Sequence, residues 1–127
     1  MGETALVEVD FRRSAQIVGT LEEKGIHVAL AVWAHFPEYE DWRFVVASKE
    51  LDPLSLAEGY GKVTSALHEA GIDAWQTPLI FLMKTSDPFV RALRKVFGKT
   101  DSVFGMRLGG QTWGNRFVDD AYAYKIA

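Results

Sequence analysis

Apolar residues recur at steps of three and four in three stretches of the chain, and this spacing predicts three amphipathic helices. The first runs from about Val7 to Lys24, and its apolar face holds Val7, Phe11, Ala15, Val18 and Leu21. The second begins at Asp52-Pro53 and the third at Asp87-Pro88, because an aspartate accepts the first free amides of a helix and proline fits its first position. A glycine is expected to end each helix, at Gly25, Gly71 and Gly98.

Strands are predicted where the apolar period changes to two. Ile26 to Phe36 and Trp42 to Ser48 form a hairpin, and Val103 to Leu108 pairs with Phe117 to Ile126 through a glycine-rich connection. Leu79 to Lys84 does not alternate, which predicts a strand that is buried on both faces at the centre of the sheet. The predicted order of elements is therefore α-β-β-α-β-α-β-β.

This order predicts a single α+β domain over residues 1–127, with a mostly antiparallel sheet of about five strands and three helices mainly on one face. A chain of 127 residues has the usual size of one domain and can bury a stable core. If the helices cover one face only, the opposite face is wet, pairs with another subunit or holds a ligand. That face is the first candidate surface for function.

The composition excludes several classes of protein. The chain has no cysteine, which excludes disulfides, thiolate catalysis and cysteine-ligated zinc and fits a cytoplasmic protein. It starts without the pattern of a signal peptide, and no apolar run reaches the length of a membrane span, so we expect no membrane association. A net charge of −3 argues against a dedicated nucleic-acid binder.

The charge is unevenly distributed along the chain. Residues 1–71 carry twice as many acidic as basic side chains, whereas basic side chains are in excess over residues 72–127. Four of the eight basic side chains in the second part form a basic stripe on the predicted third helix: Arg91, Arg94, Lys95 and Lys99. Such a stripe is usually a solvated helix face, and it is also a candidate guide for a phosphate backbone.

The last two predicted strands hold the residues best suited to binding or chemistry. Strict alternation places six of them on one face: Arg116, Val118, Asp120, Tyr122, Tyr124 and Ile126. A carboxylate beside arginine and tyrosine is either an acid/base centre or a polar binding surface. The alternative, which we favour, is a cross-strand ion pair between Arg107 and an aspartate, with the tyrosines packed over the sheet.

No pattern of metal ligands or of an activated nucleophile stands out. Asp119 and Asp120 are adjacent, so they point to opposite faces of a strand unless a bulge intervenes. His27 and His35 share a strand face but lie too far apart to bind one ion. Residues 105–110 lack the lysine and the following helix of a phosphate loop. We therefore predict no metal and no cofactor.

Two tryptophans are candidate contact residues. Trp33 shares a strand face with small alanines, and Trp113 lies at the tip of the predicted glycine-rich hairpin. An exposed aromatic ring at such a tip is a reasonable anchor for a partner. The alternative for Trp113 is a tip that folds back onto the domain.

Three segments carry a resemblance to known sequences: EDWRFVVAS at 40–48, FGMR at 104–107 and FVDDAYAY at 117–124. Through them the chain resembles short bacterial proteins of unassigned function, loosely over most of its length, and this resemblance implies no activity. The residues favour a small non-enzymatic interaction module that binds itself or another protein. The alternative is a small hydrolase or nucleic-acid-processing protein that uses Asp119 or Asp120 with Arg107 and Tyr122.

Overall fold

A computed structural model describes residues 2–72, 80–98 and 106–127, with the backbone alone for residues 2–11. These ranges contain three helices and six strands: α1 Gly2–Glu23, β1 Val28–His35, β2 Arg43–Ser48, α2 Leu56–Glu69, β3 Ile80–Leu82, α3 Pro88–Phe97, β4 Gln111–Trp113, β5 Arg116–Val118 and β6 Asp120–Ile126. The predicted α+β class and the order of the elements are confirmed.

A mixed four-stranded sheet forms the middle of the domain, in the order β3-β2-β1-β6. β1 pairs antiparallel with β2 and with β6, while β3 runs parallel to β2. The sheet has four strands and not the predicted five, and β4 and β5 form a separate two-stranded hairpin. The strand predicted from Val103 to Leu108 lies partly outside the described residues, and in its described part Arg107 forms an isolated bridge with Tyr122.

The position of β3 corrects a prediction, because this strand lies at an edge of the sheet and not at its centre. The strand is apolar throughout because its two faces are both covered, even though it lies at the edge of the sheet. The Tyr60 hydroxyl accepts a hydrogen bond from the Leu82 N–H at 2.9 Å, and a Cβ on Gly59 would lie 3.3 Å from a Leu82 methyl group. α2 therefore packs tightly on β3 and occupies an amide that would otherwise be open to another strand.

Both faces of the sheet are covered. α1 and α2 pack on one face, here called the helical face, with these buried residues: Ile17, Leu21, Val63 and Leu67. α3 and the β4–β5 hairpin cover the other, here called the hairpin face, with these: Phe89, Val90, Leu93 and Val118. The helices are thus divided two to one, and the open face predicted for a ligand or a second subunit is filled. The reason is that β1 and β2 are apolar on both sides, so each side needs a covering layer.

Register shifts change which side chains share a face. The pairing of β1 with β6 is irregular between Ala31 and Val32. As a result Tyr122 and Tyr124 pack towards the helical face, whereas Val118 and Ile126 belong to the core of the hairpin face. The predicted strict alternation from Arg116 to Ile126 is therefore wrong, because the end of β5 and this irregularity each reset the period of two.

The start of α2 also differs from the prediction. Its N-cap is Ser55, whose Oγ accepts from the Glu58 N–H at 3.2 Å while the Glu58 carboxylate accepts from the Ser55 N–H at 3.0 Å. Because this capping box satisfies the helix, Asp52 instead accepts from the Thr85 N–H at 2.9 Å. α3 begins as predicted, with Asp87 accepting from the Phe89 N–H at 2.9 Å.

α1 is the longest helix, with 22 residues. Its described side chains bury Ser14 and Ile17 against the sheet, whereas Ala15, predicted on the apolar face, is exposed. Val7 and Phe11, also predicted there, lie outside the described side chains. No described helix is both long and apolar enough to cross a membrane.

Candidate functional site

The structure gathers most of the predicted site residues in two places near opposite ends of β1. One, the polar rim, consists of His35, Arg107, Asp119, Asp120 and Tyr122. The other, the basic groove, is lined by Arg91, Arg94, Lys95, Gly98 and Ala127. The Ala127 N–H donates to the Ala29 carbonyl at 2.8 Å. Ala29 and His35 are six residues apart on one strand, so about 20 Å separates the two places.

A bidentate ion pair between Arg107 and Asp120 forms the centre of the polar rim. Arg107 Nε donates to Asp120 Oδ1 at 3.0 Å, and Nη2 donates to Oδ2 at 2.8 Å. Asp120 Oδ1 also accepts from the Ala121 N–H at 2.9 Å. The Asp120 side chain is only 16% exposed. Both carboxylate oxygens are thus occupied by donors of the protein, as in a structural ion pair.

Aromatic rings extend the polar rim across the helical face. The Arg107 guanidinium carbon lies 5.4 Å from the centre of the Tyr122 ring. The Tyr122 ring in turn lies 5.8 Å from that of Trp42, and Trp42 meets His35 edge-on at 5.7 Å. Tyr122 and Tyr124 are half-buried against the core of the helical face. These rings pack over the sheet around the ion pair.

His35 connects three segments at the polar rim. Its Nδ1 lies 3.2 Å from Asp119 Oδ2, and its Nε2 lies 3.2 Å from the Glu40 carbonyl oxygen. Each ring nitrogen faces an oxygen of the protein, and the tautomer of the imidazole decides which of the two donates. Asp119 and Asp120 turn to different partners. In the described parts of the chain, no group of three or more histidine or acidic residues could hold a metal ion.

Trp33 and Arg116 lie apart from the polar rim. Trp33 is 3% exposed, and its Nε1 donates to Ser14 Oγ at 2.6 Å inside the helical-face core. Arg116 lies on the hairpin face, where its guanidinium carbon is 5.4 Å from the centre of the Phe36 ring and its Nη1 is 3.7 Å from a Glu38 oxygen. Trp33 is therefore a core residue, and Arg116 is held by an aromatic ring and an acidic partner.

Trp113 folds back onto the domain, as in the second alternative drawn from the sequence. Its Nε1 donates to the Leu108 carbonyl at 3.1 Å, and its ring lies 5.8 Å from that of Phe97. The hairpin turn after it passes close to α3, where a Cβ on Gly114 would lie 2.3 Å from the Pro88 carbonyl oxygen. The half-buried ring thus ties the hairpin to α3.

The basic groove is an open concavity of about 370 Å³ between the second half of α3 and the end of β6. Three cations line it from one helix face: Arg91, Arg94 and Lys95. None of the five described lining residues has an acidic side chain. Arg91 and Lys95 are exposed, and neither forms an ion pair within the described parts of the chain. Lys99, the fourth member of the predicted stripe, lies outside the described residues.

Arg94 is the one cation of the basic groove with a fixed orientation. Its Nε donates to the Ala127 backbone oxygen at 2.8 Å. Gly98 lies beside that oxygen, and a Cβ there would meet it in ordinary van der Waals contact at 3.6 Å. The terminal nitrogens of Arg94 make no hydrogen bond to any other described residue. The fork of the guanidinium is therefore held in place with its outer edge available.

Spacing along one element could not reveal every residue of these two places. Ala127 and Gly98 join the basic groove only because β6 ends beside α3. Trp42 joins the polar rim because it lies across from His35 in the hairpin of β1 and β2. If the register of that hairpin had been known, with Trp33 paired with Phe44, it would have predicted the contact between Trp42 and His35.

Comparison with known proteins assigns no role to any of these residues. No match to the chain was found among models of protein families, among curated proteins or among solved structures.

Proposed function

We propose that this protein is a small non-enzymatic binding module that recognises an anionic partner through the basic groove. One observation carries the proposal: three cationic side chains gather in one open concavity, and none of its described lining residues has an acidic side chain. The whole chain has a net charge of −3, so this positive surface is a local exception. A cleft of one charge sign concentrates ligands of the opposite sign.

Helix electrostatics alone account for only part of this arrangement. Cations near the C-terminal end of a helix interact favourably with its dipole, by about 0.3–1 kcal/mol each. This explains Arg94 and Lys95, which lie in the last turn of α3. It does not explain Arg91, one turn earlier, where like charges three and four residues apart cost about 0.2–0.5 kcal/mol per pair. A bound anion would relieve that repulsion.

The polar rim supports a non-enzymatic function. The hydrolase alternative needs Asp119 or Asp120 as an acid or base beside Arg107 and Tyr122. Arg107 and a backbone amide occupy the oxygens of Asp120, and His35 contacts Asp119. A general base needs a free oxygen within reach of its proton, so this arrangement lends the alternative no support.

The proposal extends to the setting of the protein. A cytoplasmic location is supported by the cysteine-free composition. A bacterial source is supported by the resemblance carried together by residues 40–48, 104–107 and 117–124. Self-association draws no support from Trp113, whose ring packs on Phe97. Sedimentation equilibrium at several protein concentrations tests it, and a monomer throughout would remove self-association from the proposal.

A charge-matched pair of triple variants tests the proposed function. One variant changes the groove cations Arg91, Arg94 and Lys95 to glutamine. Its control changes three exposed cations elsewhere to glutamine: Arg12, Lys49 and Lys62. Both variants lose three positive charges, so the total charge is equal and only the place differs.

Binding is measured at low ionic strength by titration calorimetry with three probes: inorganic phosphate, a 20-nucleotide single-stranded DNA and poly-glutamate. We expect at least one probe to bind the wild type and the control variant with similar affinity, and to lose about tenfold or more with the groove variant. Mass spectrometry should recover the probe unchanged. Absence of binding to all three probes, or an equal loss in both variants, would refute the proposal.

A further inference from the structure

We infer that the anion recognised at the basic groove is a phosphate monoester group carried by a small molecule, an inference that rests on the proposed function. The basic groove is short and open to solvent, with a volume of about 370 Å³. It accommodates one phosphorylated compound of modest size and not a long stretch of polymer. The net charge of −3 over the chain also opposes an extended polyanion lying across the surface.

The number of cations favours a doubly charged group. A phosphate monoester carries about −1.5 to −2 charges at pH 7 and presents three oxygens, whereas a carboxylate carries one charge and two oxygens. Arg91, Arg94 and Lys95 supply three positive charges. A bound carboxylate would therefore leave two of the three uncompensated, whereas a phosphate monoester would balance about half to two thirds of the positive charge.

The orientation of Arg94 favours phosphate in particular. A guanidinium donates two parallel hydrogen bonds to a phosphate, and this match of geometry needs a fixed fork. The 2.8 Å hydrogen bond from Arg94 Nε to the Ala127 oxygen holds the guanidinium in place. Its terminal nitrogens have no other partner among the described residues. Exposed Arg91 and Lys95, three residues before and one after on the same helix, then reach the remaining oxygens.

Matched ligands test the chemical class. Phenyl phosphate, methyl phenyl phosphate and benzoate share one ring and differ in the anionic group, which is a monoester, a diester or a carboxylate. We expect phenyl phosphate to bind at least about tenfold more tightly than the other two. Its affinity should increase between pH 5.5 and 7.5, because its second ionisation falls near pH 6.

Variants tie that preference to the groove. Arg94→Lys keeps the charge and removes the fork, so it should weaken phenyl phosphate about tenfold while changing benzoate little. Arg91→Gln, at an exposed position, should also weaken phenyl phosphate and serves if Arg94→Lys unfolds the protein. Lys62→Gln is the control and should change nothing.

The outcomes separate this inference from the function on which it rests. Groove-dependent binding of single-stranded DNA without terminal phosphates, together with no preference for phenyl phosphate, would overturn the inference and leave the function standing. Equal affinity for all three ring compounds would do the same. Failure of every anion to bind would overturn both.

Discussion

The polar rim and the basic groove both present arginines, and they differ in what balances the charge. Arg107 at the polar rim donates twice to Asp120, a carboxylate that is only 16% exposed. Arg91 and Lys95 in the basic groove have no acidic partner in the described parts of the chain. An arginine with a carboxylate stabilises the fold, whereas cations gathered without one are available to a ligand.

This difference reverses the emphasis that spacing alone suggests. The mixture of aspartate, arginine and tyrosine on the last strands has the residue types of an acid/base centre, yet its side chains are engaged with one another. The stripe on α3 has the spacing of an ordinary solvated face, yet β6 ends beside it and turns it into a concavity. Four substitutions, taken from the largest expected effect to the smallest, break or sharpen the comparison.

The largest loss of stability is expected from a change at Gly114, in the hairpin that packs against α3. This residue has φ +62°, and a Cβ would lie 2.3 Å from the Pro88 carbonyl oxygen at the start of α3. Gly114→Ala should therefore lower the free energy of unfolding by about 2–3 kcal/mol. Urea unfolding followed by tryptophan fluorescence measures this value.

Gly61→Ala is the control for that substitution. Gly61 lies inside α2, and a Cβ added there would meet no other atom within 4 Å. Alanine should therefore raise the free energy of unfolding by about 0.5–1 kcal/mol. Destabilisation by both changes to the same extent would show that the contact between the hairpin and α3 is not specific.

The ion pair of the polar rim should contribute to stability. Asp120→Ala removes the acceptor of two arginine hydrogen bonds and should lower the free energy of unfolding by about 1–2 kcal/mol. A double-mutant cycle with Arg107→Ala measures the coupling, which we expect near 1 kcal/mol. A coupling of zero would place Arg107 among the cations that do not stabilise the fold.

A second acidic side chain that is paired within the protein, Glu50, should make the stability of the fold depend on pH. The His27 ring and the Ser48 hydroxyl lower the pKa of Glu50 to about 2 from a usual value of 4.5. The pKa of Glu50 is lower in the folded state than in the unfolded state. The stabilisation of the fold by the Glu50 carboxylate is therefore complete above pH 4.5 and is lost as the pH falls towards 2.

Glu50→Gln should therefore destabilise the protein at pH 6 and have progressively less effect as the pH falls towards 2. Thermal unfolding midpoints of both proteins across this range measure the difference. Glu23→Gln, at an exposed position of α1, is the control and should follow the wild type. A difference that stays constant down to pH 2 would contradict the lowered pKa.

The smallest effect is expected at Arg91. Arg91→Gln removes a cation that has no acidic partner among the described residues, and it relieves repulsion with Arg94 and Lys95. The free energy of unfolding should change by less than about 0.5 kcal/mol, in the stabilising direction. A clear destabilisation in urea would mean that Arg91 holds the fold, and the contrast with Arg107 would be lost.

The sequence predicts where helices and strands lie along the chain better than it predicts which elements pack beside one another. The start of α3 at Asp87-Pro88 follows from local chemistry, and so do the hairpin of β1 with β2 and the ion pair of Arg107 with an aspartate. The edge position of β3 does not, because an apolar run reports burial on both sides and not the number of neighbouring strands. The position of α3 on the hairpin face is likewise set by long-range packing, which local sequence patterns do not report.

The two candidate places were predictable to different degrees. Spacing of three and four identified Arg91, Arg94 and Lys95, but the oxygen that orients Arg94 belongs to Ala127, 33 positions further along the chain. At the polar rim, the period of two put Arg116 with Tyr122, and the break at the end of β5 separates them. Local period gives the face of a residue only while the strand stays regular.

The most direct test of the central claim is an amide NMR titration of the whole chain with inorganic phosphate, at constant ionic strength. We predict saturable shifts that cluster at Arg91, Arg94, Lys95, Gly98 and Ala127, with no change around Arg107 and Asp120, about 20 Å away along β1. Shifts centred on Arg107, or small shifts that are spread evenly and do not saturate, would contradict the claim.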